Sequence, residues 1–160
     1  MMGVGKSTLG KLVAIKQKME FVDTDQAIEE KFSMTISDIF KKKGENFFRS
    51  EEEKEVLKLL KKNNCVIALG GGAFMNRVAR NYILKNAVSI WLDSDIKILY
   101  GRIKWNKKRP LLNKNNSTKK INELYFKRKN IYKLANYKIN CNKLAKESIA
   151  KKIIAFYEAQ

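Results

Sequence analysis

The chain of 160 residues contains no histidine. That absence removes imidazole as a general acid or base, and with it most zinc sites. Catalysis is left to carboxylates, lysine, arginine, backbone amides or a hard cation held by oxygen. Cysteine is nearly absent as well. Cys65 and Cys141 lie far apart, each in an apolar or strand-like stretch, so two buried, reduced thiols are expected rather than a disulfide framework. The single proline is Pro110. There is no Pro/Gly/Ser-rich linker, internal repeat or break in composition, so one domain over residues 1–160 is expected. No run of about 18 apolar residues occurs, which argues against a transmembrane helix. Met1 and Met2 run straight into Gly3-Val4-Gly5-Lys6 without the apolar core of a signal peptide, so a cytoplasmic protein is expected.

Acidic residues are scarce beside basic ones, 16 against 34, for a net charge of +18. Two readings compete: a polyanion-binding protein, or a compositional bias towards Lys and Asn. The basic residues discriminate, because 28 are Lys and only 6 are Arg. Nucleic-acid readers lean on Arg and interleave aromatics, whereas these lysines spread over every predicted helix face. The bias reading is favoured, with mild attraction of anionic small molecules as a by-product. Neither nucleic acid nor membrane is expected as a partner, and the protein is expected to be a monomer. Where arginine is scarce, each one retained points to a need for its planar fork.

What is present is a 44% hydrophobic content in a regular pattern. Residues 6–18 read as a helix with Leu9, Leu12, Val13 and Ile15 on its apolar side. A short strand follows at Glu20 to Asp23. Thr24 is placed to cap a helix from Asp25 to Phe32. Helices are predicted around Ser37 to Lys42 and over 45–62, the latter burying Phe47, Phe48, Val56, Leu57 and Leu60. Cys65-Val66-Ile67-Ala68-Leu69 is a continuous apolar run closed by three glycines, as suits a strand covered on both faces. A helix over 75–85, a strand over Ala87 to Leu92 and a helix from Asp95 capped by Ser94 come next. Residues 105–118 are polar and read as a mobile loop. A helix of about 15 residues, a strand at Tyr137 to Asn140 and a last helix bearing Ile149, Ile153, Phe156 and Tyr157 on one face complete the pattern. Strands alternating with helices give an α/β fold with a central parallel sheet and helices on both faces. Ligands of such sheets sit at the carboxyl ends of the strands.

Gly3-Val4-Gly5-Lys6-Ser7-Thr8 is the end of a Walker A motif, G-x-x-x-x-G-K-[ST]. Glycines let backbone N–H groups approach phosphate oxygens, Lys6 reaches the β- and γ-phosphates, and the Ser7 hydroxyl suits Mg²⁺. The first glycine of the motif would lie two places before Met1, and the apolar strand that leads into it is missing. The chain is therefore expected to lack roughly ten N-terminal residues, and its sheet to carry a gap with unpaired backbone groups on either side.

Five further segments, in order behind the phosphate loop, give the chain a resemblance to the shikimate kinase family, from Gly3 to about Ile154. Asp23-Thr24-Asp25 resembles the family's D-x-D. Gly44-Glu45, Phe48-Arg49 and Glu51 resemble its G-E-x-x-F-R-x-x-E. Gly70-Gly71-Gly72-Ala73 is similar to its G-G-G-[AS], and Arg109-Pro110-Leu111-Leu112 to its lid motif. Arg128 and Tyr132 resemble its R-x-x-x-Y segment.

The resemblance implies a nucleoside-monophosphate-kinase-like fold with a lid over about 105–118. It implies transfer of the γ-phosphoryl group of ATP to the 3-hydroxyl of shikimate, with ATP and Mg²⁺ as cofactors, in aromatic amino-acid biosynthesis. Lys6 and Asp25 then carry catalysis, Asp25 orienting or deprotonating the attacking hydroxyl. Ser7 and Asp23 serve Mg²⁺. Arg49 and Arg128 hold the shikimate carboxylate, a task suited to a bidentate fork, beside Gly70, Gly71 and Gly72. Gly3, Val4, Gly5, Lys6, Ser7 and Thr8 hold the nucleotide phosphates, with Arg102 and Arg109 as further nucleotide contacts. A nucleotide contact near Asn142 to Lys146 cannot be assigned to a residue. Glu45 and Glu51 to Glu53 read as surface or capping acids, Arg77 and Arg80 as surface residues, Trp91 as core, and Tyr132 as packing beside the substrate arginine. The rival readings are a kinase of another small hydroxy acid such as gluconate, a non-catalytic descendant that keeps the fold, and a basic nucleic-acid-binding domain.

Overall fold

The computed structural model describes residues 3–104 and 117–159. Its elements are α1 (Lys6–Gln17), β1 (Glu20–Asp23), α2 (Thr24–Phe32), α3 (Ile36–Leu59), β2 (Cys65–Ala68) and a 3₁₀ turn (Ala73–Met75). Then come α4 (Arg77–Asn86), β3 (Ile90–Asp93), α5 (Ile96–Lys104), α6 (Ser117–Tyr132), β4 (Tyr137–Asn140) and α7 (Lys146–Glu158). The alternation is the α/β order expected from the sequence, with parallel strands and helices on both faces. The proposed lid over 105–118 lies outside the described residues, save Ser117 and Thr118, which open α6.

The strands form two parallel pairs. β1 pairs with β2, Glu20 opposite Cys65 through Asp23 opposite Ala68. β3 pairs with β4, Ile90 opposite Tyr137 through Asp93 opposite Asn140. Among the described residues no strand pairing joins β2 to β3. A cavity of about 410 Å³ runs between them, reaching from Lys6 and Gly70 to Asn64 and Tyr157. The gap foreseen in the sheet is present.

Apolar side chains make two clusters. The larger one joins Leu9 of α1, Val56 of α3, Trp91 of β3, Leu99 of α5, Ile121 of α6 and Ile149 of α7. The smaller holds Ile28 of α2 against Ile39 and Phe48 of α3. Ile28 and Ile39 are fully buried, so truncating either to alanine costs about 2–5 kcal/mol. This second cluster fixes α2 to α3 and thereby sets the distance between the acids of one and the arginine of the other.

Several local expectations need correction. The two helices foreseen over 37–62 are present as the two arms of α3, which begins earlier than expected, at Ile36, and is broken at Gly44, whose φ of 83° and ψ of 167° are open only to glycine. Thr35 caps it, its hydroxyl accepting from the Asp38 N–H at 3.2 Å. α2 is capped by Asp23, not Thr24: the Asp23 carboxylate accepts from the Asp25 N–H at 3.1 Å. Ser94 does not cap α5. Its hydroxyl is 3.0 Å from the Asn142 side-chain oxygen, and that same oxygen accepts from the Asp95 N–H at 2.7 Å. Ile15 is 76% exposed, because Leu9, Val13 and Ala14 form the buried edge of α1. Cys141 is buried and Cys65 half-buried, both as free thiols. Arg77 is exposed as expected, but Arg80 is half-buried. Its guanidinium donates to the Phe74 and Met75 carbonyls at 3.2 and 3.1 Å, holding the 3₁₀ turn.

Candidate active site

The carboxyl ends of β1 and β2 gather most of the predicted site residues. Gly3 and Gly5 take left-handed backbone conformations, φ 74° and 95°, so the loop turns sharply into α1. Gly5 is the N-cap of α1 and supplies no side-chain hydrogen bond. The first amides of the helix, at Lys6, Ser7 and Thr8, therefore face outward as donors at the positive end of the helix dipole. Val4 is buried and anchors the loop from beneath. A loop of this shape is a ready anion cradle.

Asp23 ends β1 and stands across from this cradle. The Ser7 hydroxyl donates to its Oδ2 at 2.5 Å, so a hydroxyl and a carboxylate, both hard oxygen donors, meet at one point. That donor set fits Mg²⁺. Asp25 follows on the first turn of α2, half-buried, on the side of the glycine loop. Thr24 lies between the two acids and is fully buried. Its hydroxyl donates to the Ala68 carbonyl at 3.4 Å and accepts from the Gly70 N–H at 2.7 Å. The threonine read as a cap is thus the tie that locks the glycine loop after β2 to the acid-bearing turn after β1.

Small size is needed in that loop. A Cβ on Gly70 would run into the Asp25 and Glu52 carboxylates, and one on Gly72 into the Arg49 guanidinium. Neither glycine has a positive φ, so the reason is close approach rather than backbone freedom. The Gly71 carbonyl accepts from the Tyr132 hydroxyl at 2.7 Å, which fastens the loop to α6. Tyr132 packs edge-on against Phe74 and Trp91, the core role expected of both Tyr132 and Trp91.

Arg49 lies over the Phe48 ring at 5.2 Å and forms ion pairs with Glu52 at 2.7 Å and Glu45 at 3.1 Å. Burial works against its charge, but Glu52 and Glu45 outweigh it, and the guanidinium is held above its usual range. Glu52 is itself 2% exposed. Burial pushes its carboxyl up; Arg49 draws it back, Asp25 pushes it further up, and Arg128 also draws it back. Four charged groups from α2, α3 and α6 thus meet around the glycine loop. Arg128 is 6% exposed, and its Nη1 is buried without a hydrogen-bond partner. A buried guanidinium nitrogen left open calls for a partner, and an anionic group suits its charge and fork geometry.

The reading of Glu51 to Glu53 as surface acids fails for the first two. Counting three residues from Arg49 along the helix leads to Glu52, so Glu52 rather than Glu51 is the acid of that motif. The signal was available, since residues three apart share a helix face. Glu51 faces the other way and pairs with Lys31 and Lys54, each at 2.7 Å.

Near the phosphate loop a second cavity of about 250 Å³ lies between Gly3, Gly5 and Thr8 on one side and Cys141, Leu144 and Lys146 on the other. Of the other residues expected to contact the nucleotide, Arg102 lies in α5 with its side chain outside the described residues, and Arg109 lies wholly outside them.

The same sequence pattern and fold recur in known proteins. The shikimate kinase family model matches residues 2–158. The chain belongs to the shikimate kinase family. The shikimate kinase of Sulfurihydrogenibium sp. is 41% identical over 153 residues, 96% of this chain and 91% of the relative. That of Persephonella marina is 42% identical over 139 residues, 87% and 84% of the two chains. Among solved structures, shikimate kinase from Acinetobacter baumannii in complex with shikimate superposes with a TM-score of 0.94 at 33% identity, covering 99% of this chain and 89% of that one. Shikimate kinase from Aquifex aeolicus gives 0.86 at 31% identity, covering 99% and 93%. The chain is accordingly an ATP-dependent phosphotransferase of the P-loop class. No helix among the described residues is long and apolar enough to cross a membrane.

Proposed function

We propose that the chain transfers the γ-phosphoryl group of ATP to the 3-hydroxyl of shikimate, with each site residue acting as follows. The observation that carries this assignment is the buried Arg128 nitrogen without a partner, on a side chain whose charge, like those of Asp25 and Arg49, acts on the buried Glu52. Arg128 and Arg49 receive the substrate carboxylate, and Glu52 holds Arg49 in place from the helix turn behind it. Gly70, Gly71 and Gly72 lie against the ring. Asp25 accepts a hydrogen bond from the attacking hydroxyl and takes its proton as the new O–P bond forms. The bond between the γ-phosphorus and the β–γ bridging oxygen breaks, and ADP leaves.

The amides of Gly5 to Thr8 and the Lys6 ammonium meet the charge that spreads over the transferring group, where electrostatic stabilisation contributes most. Ser7 and Asp23 would hold Mg²⁺, which neutralises charge on the β- and γ-phosphates when bound. The cavity between Gly3 and Lys146 suits the nucleotide base, with Leu144 as an apolar wall; Arg102 and Arg109 are assigned to the nucleotide by the motifs that carry them.

The methyl ester of shikimate tests the assignment, because it keeps the hydroxyls and loses the charge. KM for the ester is expected to exceed that for shikimate by about 100-fold or more, two charge-assisted hydrogen-bond pairs being lost. In Arg128→Gln the two substrates should differ far less. Equal KM values for acid and ester in the native protein would contradict the assignment.

A further inference from the structure

The ring of Tyr132 is accounted for by packing. It is 7% exposed and stands edge-on against Phe74 and Trp91, with 6.1 Å between centroids in each pair. Packing does not account for its hydroxyl. Burying a phenol oxygen costs free energy unless it is partnered, and phenylalanine would fill the same space. The hydroxyl donates to the Gly71 carbonyl at 2.7 Å, which commits its one proton. Its lone pairs remain, and these call for an N–H donor. Arg128 lies four residues back on α6, on the same helix face. Burial pushes the hydroxyl's pKa up; Arg128, by its charge and as a hydrogen-bond donor, draws it down. The shift is upward on balance, so the group stays a hydroxyl at neutral pH and is no acid or base. Arg128 keeps one further nitrogen, Nη1, buried and without a partner.

We infer that Tyr132 is a positioning residue for substrate selectivity: its hydroxyl, anchored on the Gly71 carbonyl, holds the Arg128 fork so that Nη1 stays open for the carboxylate of a small hydroxy acid. The inference rests on the carboxylate role proposed above for Arg128. Each end of the link has a physical reason. A guanidinium carries five N–H groups on a long side chain, so a single contact leaves its plane free to turn. The hydroxyl gives it a second point, and the ring wedged between Phe74 and Trp91 keeps that point still. At the other end, Gly71 is the middle of the loop whose Gly70 stands against Asp25 and whose Gly72 stands against Arg49. One buried oxygen thus connects Arg128 to the loop that touches the other two groups of the site. Arg128 is set in place before the acid arrives, which lowers the ordering cost of binding it. Because its proton is committed to Gly71, the hydroxyl acts on how the acid binds rather than on phosphoryl transfer.

Tyr132→Phe tests this, because it keeps the ring against Phe74 and Trp91 and removes only the oxygen. KM for shikimate is expected to rise about 10-fold, the worth of one hydrogen bond to a charged group. Changes in kcat and in KM for ATP should stay below about twofold, the pattern of binding lost equally from ground and transition states. The ratio of KM for the methyl ester to KM for shikimate should shrink by the same 10-fold or so. A double-mutant cycle separates this from a general structural role. In an Arg128→Gln background, Tyr132→Phe should change KM for shikimate by less than about twofold, since its effect runs through Arg128. An equal rise in both backgrounds, or an unchanged ester-to-acid ratio, would overturn the inference. So would a variant that no longer folds, because the hydroxyl would then serve the core and not Arg128. Equal KM values for acid and ester in the unsubstituted protein would remove the carboxylate reading and this inference with it. A large native ratio that Tyr132→Phe leaves intact would remove the inference alone.

Discussion

Gly70 and Gly72 are held to hydrogen by the charged groups that stand against them. In Gly72→Ala the new methyl displaces the Arg49 guanidinium, the far end of a flexible side chain, so the fold survives and the carboxylate contact suffers. KM for shikimate is expected to rise about 10- to 100-fold, the worth of one charged hydrogen bond, with urea stability changed by less than about 1 kcal/mol. In Gly70→Ala the methyl presses on Asp25, and kcat is expected to fall about 100-fold, as a misplacement of some 1 Å can cost. Steady-state kinetics with both substrates varied separates the two effects. At this scale the sequence was most readable where chemistry dictates residue type. Asp25, Arg49 and Arg128, drawn from three separate motifs, come together around Glu52, and Asp23 meets Ser7 beside the phosphate loop. It was least readable where one side chain could serve two purposes. Asp23 both caps α2 and faces Ser7, so Thr24 was freed to bind the glycine loop, a contact 46 residues away in sequence that no local pattern reports.

Among the elements, α3 carries the most of the site's geometry. It turns at Gly44, where no side chain would meet another atom but the backbone conformation itself excludes one. Gly44→Ala is therefore expected to lose about 1–3 kcal/mol in urea unfolding through backbone strain alone. Glu51 ties α3 to α2 through Lys31. The hydrogen bonds from Lys31, then Lys54, hold its carboxyl below the usual range. A depressed carboxyl contributes stability above its unfolded pKa, near 4.5, and that stability is lost as pH falls through the lower folded value. Glu51→Gln should thus cost about 1 kcal/mol at pH 7, with the native and variant curves converging as the medium becomes acid enough to protonate Glu51 in the folded protein. A variant gap that stays constant with pH would remove the ion pairs as its cause. Strands were legible at this scale because continuous apolar runs bounded by glycine or asparagine have few other fates. The start of β3 was placed three residues early, since Ala87 and Val88 are apolar yet lie before the pairing with β4 begins. The cap of α5 was missed because Asn142, arriving from 47 residues downstream, supplies the acceptor that Ser94 was expected to provide.

Over the whole molecule, the two strand pairs are held in register by the helices around them, and the site is assembled from β1, α2, α3, the loop after β2, and α6. The α/β order was legible from alternation alone. The width and lining of the cavity between the strand pairs were not, because they depend on how α1 and α7 close over it. The net charge of +18 adds a general attraction for anionic substrates, while the specific recognition is what we propose for Arg49 and Arg128. The most direct test of the central claim is ADP release from Mg-ATP by the whole chain, with and without shikimate, beside an Asp25→Asn variant. Release that depends on shikimate and drops by about 10²- to 10⁴-fold in the variant, as loss of a positioned base predicts, is the expected result. Release indifferent to shikimate, or undiminished in Asp25→Asn, would contradict it.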